Sequence, residues 1–368
     1  MAQDRTRPES AAQTPPGRVA GRSRRGLFLP YILLAVVVVA WSIGWIWIRS
    51  RAASEIDGWM AREATAGRNW ACADRSLTGY PFRIELRCST VTLERSDGRF
   101  RLGPSIAVAQ VYQPRLVVFE SAGPFHVEQG ALIGDAAWRA LQGSFHGASD
   151  GFTRASVVID DPTVTVAGAD PGPIAISGQH LELHARPDPG RYASEGAVDV
   201  SLRLAQAAVP QLDALTGTQD PADLALDATL AQATVLRTGP LPRELERWRQ
   251  AGGTLDITAL SLAKGPQRVQ AKGTLALDAA HRPAGQIDLR AAGIDALVGN
   301  LVGQRFGSDR GALVGQLVGG LLGLSRRPQP DAQADTVPLK DLPPLRLVDG
   351  KLVLSGFPIP NVHVPALY

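Results

Sequence analysis

Ala197-Val198-Asp199-Val200-Ser201-Leu202-Arg203-Leu204-Ala205 decides the fold: apolar and polar residues alternate through it with a period of two. Side chains alternate across a β-strand, so Val198, Val200, Leu202 and Leu204 share one face while Asp199, Ser201 and Arg203 share the other. A helix would scatter the same residues around its circumference. The segment is therefore read as a strand with one dry and one wet face, the pattern of an antiparallel sheet.

The same signal recurs on both sides. Phe82, Ile84, Leu86 and Cys88 alternate with Arg83, Glu85 and Arg87, and further candidates are 105–112, 115–120, 155–160, 163–167 and 179–185. Beyond them come 224–231, 254–262, 268–271, 274–278, 286–291, 345–347 and 351–354. Arg186-Pro187-Asp188-Pro189-Gly190 and His281-Arg282-Pro283-Ala284-Gly285 supply turn chemistry between them. Strands do not alternate with long helices, which argues against a nucleotide-binding α/β fold. The expectation is a mainly β (β-rich α+β) protein: an antiparallel, curved β-sheet or half-barrel with a few short helices. One helix is expected at 242–250, where Leu241, Leu245 and Trp248 align.

Upstream, residues 27–48 (LFLPYILLAVVVVAWSIGWIWI) carry no charge. At ~1.5 Å per residue such a run covers the ~30 Å of a bilayer core. Trp41, Trp45 and Trp47 cluster at its end, as in an interfacial aromatic belt. Pro30 sits in the first turn, where its missing N–H costs little. A cleaved signal peptide is the competing reading, with Ala52-Ala53-Ser54 as its cleavage candidate. The run is longer than a signal h-region and ends in tryptophans rather than small residues.

Charge sets the expected orientation. Of the 38 basic and 35 acidic residues, residues 1–51 hold eight arginines against Asp4 and Glu9, which leaves the rest slightly acidic. Six of those arginines precede the span, so the positive-inside rule puts the N-terminus in the cytoplasm and exports the remainder. The expected layout is a disordered tail (1–26), a single transmembrane helix (27–48), a juxtamembrane helix and linker (49–78), and a periplasmic β-rich domain (79–368). The location is then the cell inner membrane, single-pass. A slightly acidic domain has no electrostatic footprint for nucleic acid. Cys72 and Cys88, the two cysteines, both fall on the exported side, where an oxidising compartment favours a disulfide. A two-cysteine metal site lacks further ligands at zinc spacing.

Between 294 and 324, glycines recur every fourth residue (299, 303, 307, 311, 315, 319, 323) among leucines and valines. This glycine stripe is read as a helical hairpin broken at Ser308-Asp309-Arg310. It either caps a sheet end or packs against lipid or a second copy. A Pro-rich loop (325–344) follows.

Chemistry is sparsely encoded. Gly147-Ala148-Ser149-Asp150-Gly151 matches the nucleophile pattern GxSxG, which needs a strand before it and a helix after it; here a strand follows. His180, Glu182 and His184 share a strand face, either as three metal ligands or as the wet face opposite Leu181 and Leu183. No catalytic residues, metal site or cofactor are assigned, and the protein is expected not to be an enzyme.

Three stretches carry a resemblance. They are Gly79-Tyr80-Pro81-Phe82-Arg83-Ile84 leading into Cys88, Gly273-Thr274-Leu275-Ala276-Leu277-Asp278 with Arg282-Pro283-Ala284-Gly285, and Leu345-Arg346-Leu347-Val348-Asp349-Gly350-Lys351-Leu352 before Pro358, Pro360 and Pro365. Together they resemble the bacterial family called domain of unknown function 2125 and, more remotely, the AsmA-like envelope proteins. The resemblance implies a membrane-anchored periplasmic protein with a β-rich module of the lipid-lining kind, and it implies no catalytic residues. On that expectation a lipid or other apolar ligand lies in a groove lined by Val198, Val200, Leu202, Leu204, Leu275 and Leu277, and the function is cell-envelope maintenance. The alternative is a structural or assembly factor whose sheet edge pairs with another envelope protein.

Overall fold

The computed structural model describes residues 25–149, 151–168, 172–237, 239–293 and 338–368. The glycine stripe and most of the Pro-rich loop lie outside the described residues. The chain divides into two units, 1–48 and 49–368. The apolar run is helical, within an α-helix Arg25–Thr65 that has Pro30 inside it. Large apolar side chains from Phe28 to Trp47 are exposed on it. Among the described residues it is the one helix long and apolar enough to cross a membrane, consistent with a single membrane anchor.

Every described strand of the second unit pairs antiparallel, in two sheets. The narrow sheet runs Asn69–Ala73, Thr90–Arg95, Gly98–Leu102, Phe125–Gln129, Leu132–Ala137, Thr163–Ala167, Ile174–Ser177. The wide sheet begins Ser76–Thr78, Arg83–Cys88, Ser105–Gln110, Gln113–Ser121, Ala140–Ala148, Gly151–Asp160, His180–Pro187. It continues through Val198–Ala207, Ala222–Leu230, Leu255–Lys264, Gln267–Leu277, Pro283–Ala292, Leu345–Val348, Lys351–Leu354 and Phe357–His363. Its first and last strands do not pair, so the sheet is not closed into a barrel. The β region therefore starts at Asn69, inside the segment read from sequence as a linker.

The two sheets share a single strand order over the first half of the unit. Each narrow-sheet strand runs directly into, or out of, the wide-sheet strand at the same place in the order. The joints are Asp74-Arg75, Ser89, Gly103-Pro104, Ala122-Gly123-Pro124, Trp138-Arg139, Asp161-Pro162 and Gly178-Gln179. The first half is thus a meander of long strands creased along one line. Proline cannot donate to a ladder, and Asp74 and Asp161 adopt positive φ (48° and 49°), so pairing is interrupted there and the strand direction resets. Gly103 has no room for a side chain: a Cβ would lie 2.5 Å from the Ala122 carbonyl oxygen. Backbone bonds stitch the crease, among them Gly103 N–H to Pro124 O (3.0 Å), Ala122 N–H to Pro104 O (2.8 Å) and Gly178 N–H to Pro162 O (2.9 Å).

The helix segment from Arg49 to Glu63 lies along the first strand of each sheet. Arg49 Nε donates to Leu77 O (2.9 Å), Arg75 pairs with Asp57 (2.6 Å), Trp59 meets Trp70 at 5.5 Å between ring centroids, and Glu63 takes both arms of Arg68. One exposed edge of each sheet is thereby covered, which removes a template for unwanted strand pairing.

Apolar side chains line up across the strands. One cross-strand row of the wide sheet reads Leu77, Leu86, Ala107, Phe119, Gly143, Val157, Leu183, Leu202, Leu226, Leu260, Ala271 and Leu289. In the narrow sheet a row reads Cys72, Val91, Leu102, Phe125, Ala136, Val164 and Ile176. Cys72 is bonded to Cys88 with a Cα separation of 5.2 Å, as the cysteine count led us to expect. Cys88 shares a strand face with Leu86, so that bond links the apolar faces of the two sheets on the same side of the crease.

Candidate functional site

The candidate site is this creased apolar face. All six side chains expected to line a groove lie on it. Val198 and Leu275 belong to one row, with Leu230 and Leu255 between them. Val200 pairs with Ala228, Leu202 with Leu226, Leu204 with Leu224, and Leu277 with Pro283. Val198 is buried and the other five are half-buried. The register also adds Phe119, Phe145, Val157 and Leu183: Leu183 alternates plainly with its neighbours, but Phe119 and Val157 sit in unbroken apolar runs and Phe145 in a strand that the sequence candidates do not include.

Burial along the later strands is concentrated at the strand ends. Val198 and Ala207 are buried while the residues between them are not, and the same holds for Gln267, Ala291, Ala292 and Lys264 at the far end. Short helices account for this. At one end Pro210–Thr216 brings Asp213 to Lys264 Nζ (2.9 Å), which satisfies a buried ammonium. At the other, Leu241–Gln250 inserts Trp248, whose Nε1 donates to Ala231 O at 2.7 Å. The middle rows have no such cover among the described residues. No large side chain there is completely buried, and Phe145, Leu183 and Leu262 stay 43%, 38% and 36% exposed. An ordinary close-packed interior would have sealed them.

The opposite face is polar and occupied by its own partners. His180 bridges Asp160 (2.7 Å) and Glu182 (2.9 Å), while His184 meets Ser156 (2.9 Å) and Glu182 (3.3 Å). In the narrow sheet His126 bridges Asp135 (2.7 Å) and Glu128 (3.1 Å) in the same manner. Arg203 takes both oxygens of Asp227. A hollow of about 700 Å³ lies against these groups, lined by Arg154, His184, Arg186, Asp199, Ser201 and Asp227. Among the described residues no group of three or more His, Cys, Asp or Glu side chains could hold a metal ion. The His180, Glu182, His184 set lies on the face opposite Leu181 and Leu183 and hydrogen-bonds within itself and to Asp160 and Ser156. Ser149, in the GxSxG pattern, sits in the turn joining Ala140–Ala148 to Gly151–Asp160, without the helix a nucleophile elbow requires.

These ladders make stability pH-dependent. Hydrogen bonds from Glu182 and then Asp160 raise the His180 pKa above 6.5, and Asp135 and then Glu128 do the same for His126. Bonds from His180 and then His184 lower the Glu182 pKa below 4.5. The histidine contribution is complete below pH 6.5 and is lost as pH rises through the raised values. The Glu182 contribution is complete above pH 4.5 and is lost as pH falls through its lowered value. The urea midpoint is therefore expected to peak between about pH 4.5 and 6.5. His180→Gln together with His126→Gln should flatten the alkaline fall; an unchanged slope would mean the ladders do not matter.

No curated protein and no solved structure matches the chain. A family model does, over residues 45–363, from the last residues of the apolar run through the final strand. The creased sheets, the disulfide and both capping helices all fall within that span, and the chain belongs to the family described as uncharacterized protein conserved in bacteria (DUF2125).

Proposed function

We propose that this is a non-enzymatic, inner-membrane-anchored periplasmic protein that binds or transfers a lipid or another apolar molecule along its creased apolar face. One observation carries the reading: continuous apolar rows cross both sheets, yet among the described residues no large side chain on them is fully buried. Apolar surface of that extent left half-covered marks a binding face. The capped ends and open middle rows suit an elongated occupant such as an acyl chain. The remote resemblance to AsmA-like envelope proteins, whose β-rich modules line lipid grooves, points the same way.

The test is to reconstitute the full chain with a phospholipid bearing a photoreactive acyl chain and to map adducts by peptide mass spectrometry. Adducts are expected on the middle rows, around Leu183, Leu202 and Leu260. Leu202→Glu should reduce them about 10–100-fold, the penalty of removing a buried leucine contact worth ~1.5–3 kcal/mol. Adducts confined to residues 27–48 in the unmodified chain would overturn the reading.

A further inference from the structure

The turn after the first wide-sheet strand is unusually apolar for a surface turn. Tyr80 and Phe82 are 51% and 59% exposed, and Tyr112, at the tip of the neighbouring hairpin, is 72% exposed. Val111 N–H donates to Phe82 O at 2.9 Å, so the two tips lie side by side. Exposed aromatics gathered at one place mark a contact surface.

Arg49 identifies what the surface meets. It is the residue next to Ile48, the last of the apolar run, and its Nε donates to the Leu77 carbonyl. From Leu77 to Tyr80 the chain can extend no more than ~10 Å. The headgroup layer beyond the hydrocarbon is itself several ångströms deep on each side, and tyrosine and tryptophan concentrate there. The charges beside the patch agree. Arg83 and Arg87 share one carboxylate, Glu85, and Arg115 is exposed on the strand that leaves the Tyr112 turn. A basic excess of this kind is attracted to anionic lipid.

We infer that Tyr80, Phe82 and Tyr112 form a membrane-contact tip which enters the lipid headgroup region. This gives the sheet unit a second attachment to the bilayer besides the chain itself. The inference rests on the membrane-anchored part of the proposed function and not on the groove.

The experiment uses the full chain in vesicles of phosphatidylethanolamine and phosphatidylglycerol. Cys72 and Cys88 are bonded to each other, so Phe82→Cys, Tyr112→Cys and Leu132→Cys each add one free thiol for a nitroxide label. Leu132 is 44% exposed at the start of a narrow-sheet strand, on the other side of the crease. Labels at 82 and 112 are expected to collide several-fold more often with oxygen, which enriches in lipid, than with a water-soluble nickel chelate, and the label at 132 should show the reverse. Tyr112 is a surface turn residue, so its variant reports even if Phe82→Cys folds poorly. Nickel access at 82 and 112 equal to that at 132 would overturn the inference. Shielding from both reagents, the sign of a protein partner on the tip, would overturn it as well.

Discussion

Trp248→Ala is expected to destabilise the sheet unit by about 3–5 kcal/mol, the usual cost of emptying a buried aromatic site. Trp248 is 6% exposed, and its indole N–H donates to the Ala231 carbonyl. Gly253 faces the ring so closely that a Cβ there would overlap the indole. The same turn is tied by Gly253 N–H to Trp248 O and by Ala231 N–H to Thr254 O, both at 2.9 Å. Removing the indole leaves a cavity, frees the Ala231 carbonyl and loosens the join between Ala222–Leu230 and Leu255–Lys264. Urea unfolding at constant pH measures the loss. Trp248→Phe, which keeps much of the volume but not the donor, should lose about 1–3 kcal/mol, the cost of a buried acceptor left unpaired. A Trp248→Ala chain with an unchanged midpoint would remove this helix from the account of how the strand ends are sealed.

Breaking the Cys72–Cys88 bond is expected to cost about 3 kcal/mol, the chain-entropy value for a loop of this size. Cys72→Ala/Cys88→Ala should lower the urea midpoint, and reductant should lower the unmodified chain to the same value. Because the bond links the apolar faces of the two sheets across the crease, the loss should appear first as protease sensitivity around Asp74 and Ser89. Indifference of the unmodified chain to reductant would contradict the pairing.

The later strands were legible in the sequence because they run uninterrupted in one sheet. Val198 to Leu204 and Leu255 to Leu262 keep their alternation with bulges at only a few points, while 268–271 and 274–278, read as two strands, are one strand Gln267–Leu277 that runs through Lys272-Gly273. The first half was harder to read. Gly103-Pro104, Ala122-Gly123-Pro124 and Asp161-Pro162 have the chemistry of turns, and in this chain they are bends through which a strand carries on in a second sheet. These bends hide strands such as Gly98–Leu102 and Phe125–Gln129, although Arg99, Phe100, Arg101 and Leu102 alternate plainly, and Asn69–Ala73 lies within the expected linker. Periodicity says that a strand has two unlike faces; it does not say which strand lies next to it. The six groove residues were therefore identifiable as one-sided, while the single row that joins Val198 to Leu275 depends on a register that only the fold supplies.

Strand order has a consequence for how such a chain assembles and varies. From His180–Pro187 to Pro283–Ala292 the strands lie in chain order, each paired with the next. Each hairpin can then add to the one already formed, by short loop closures rather than distant searches, so the sheet can zip from a local start. The same arithmetic governs length. Removing or inserting a whole hairpin keeps every remaining side chain on its own face, whereas a single-residue insertion inside a creased strand turns its pattern over in whichever sheet lies beyond it. Size variation in such chains should therefore come in two-strand steps, as it does in repeat proteins whose neighbours are the only contacts.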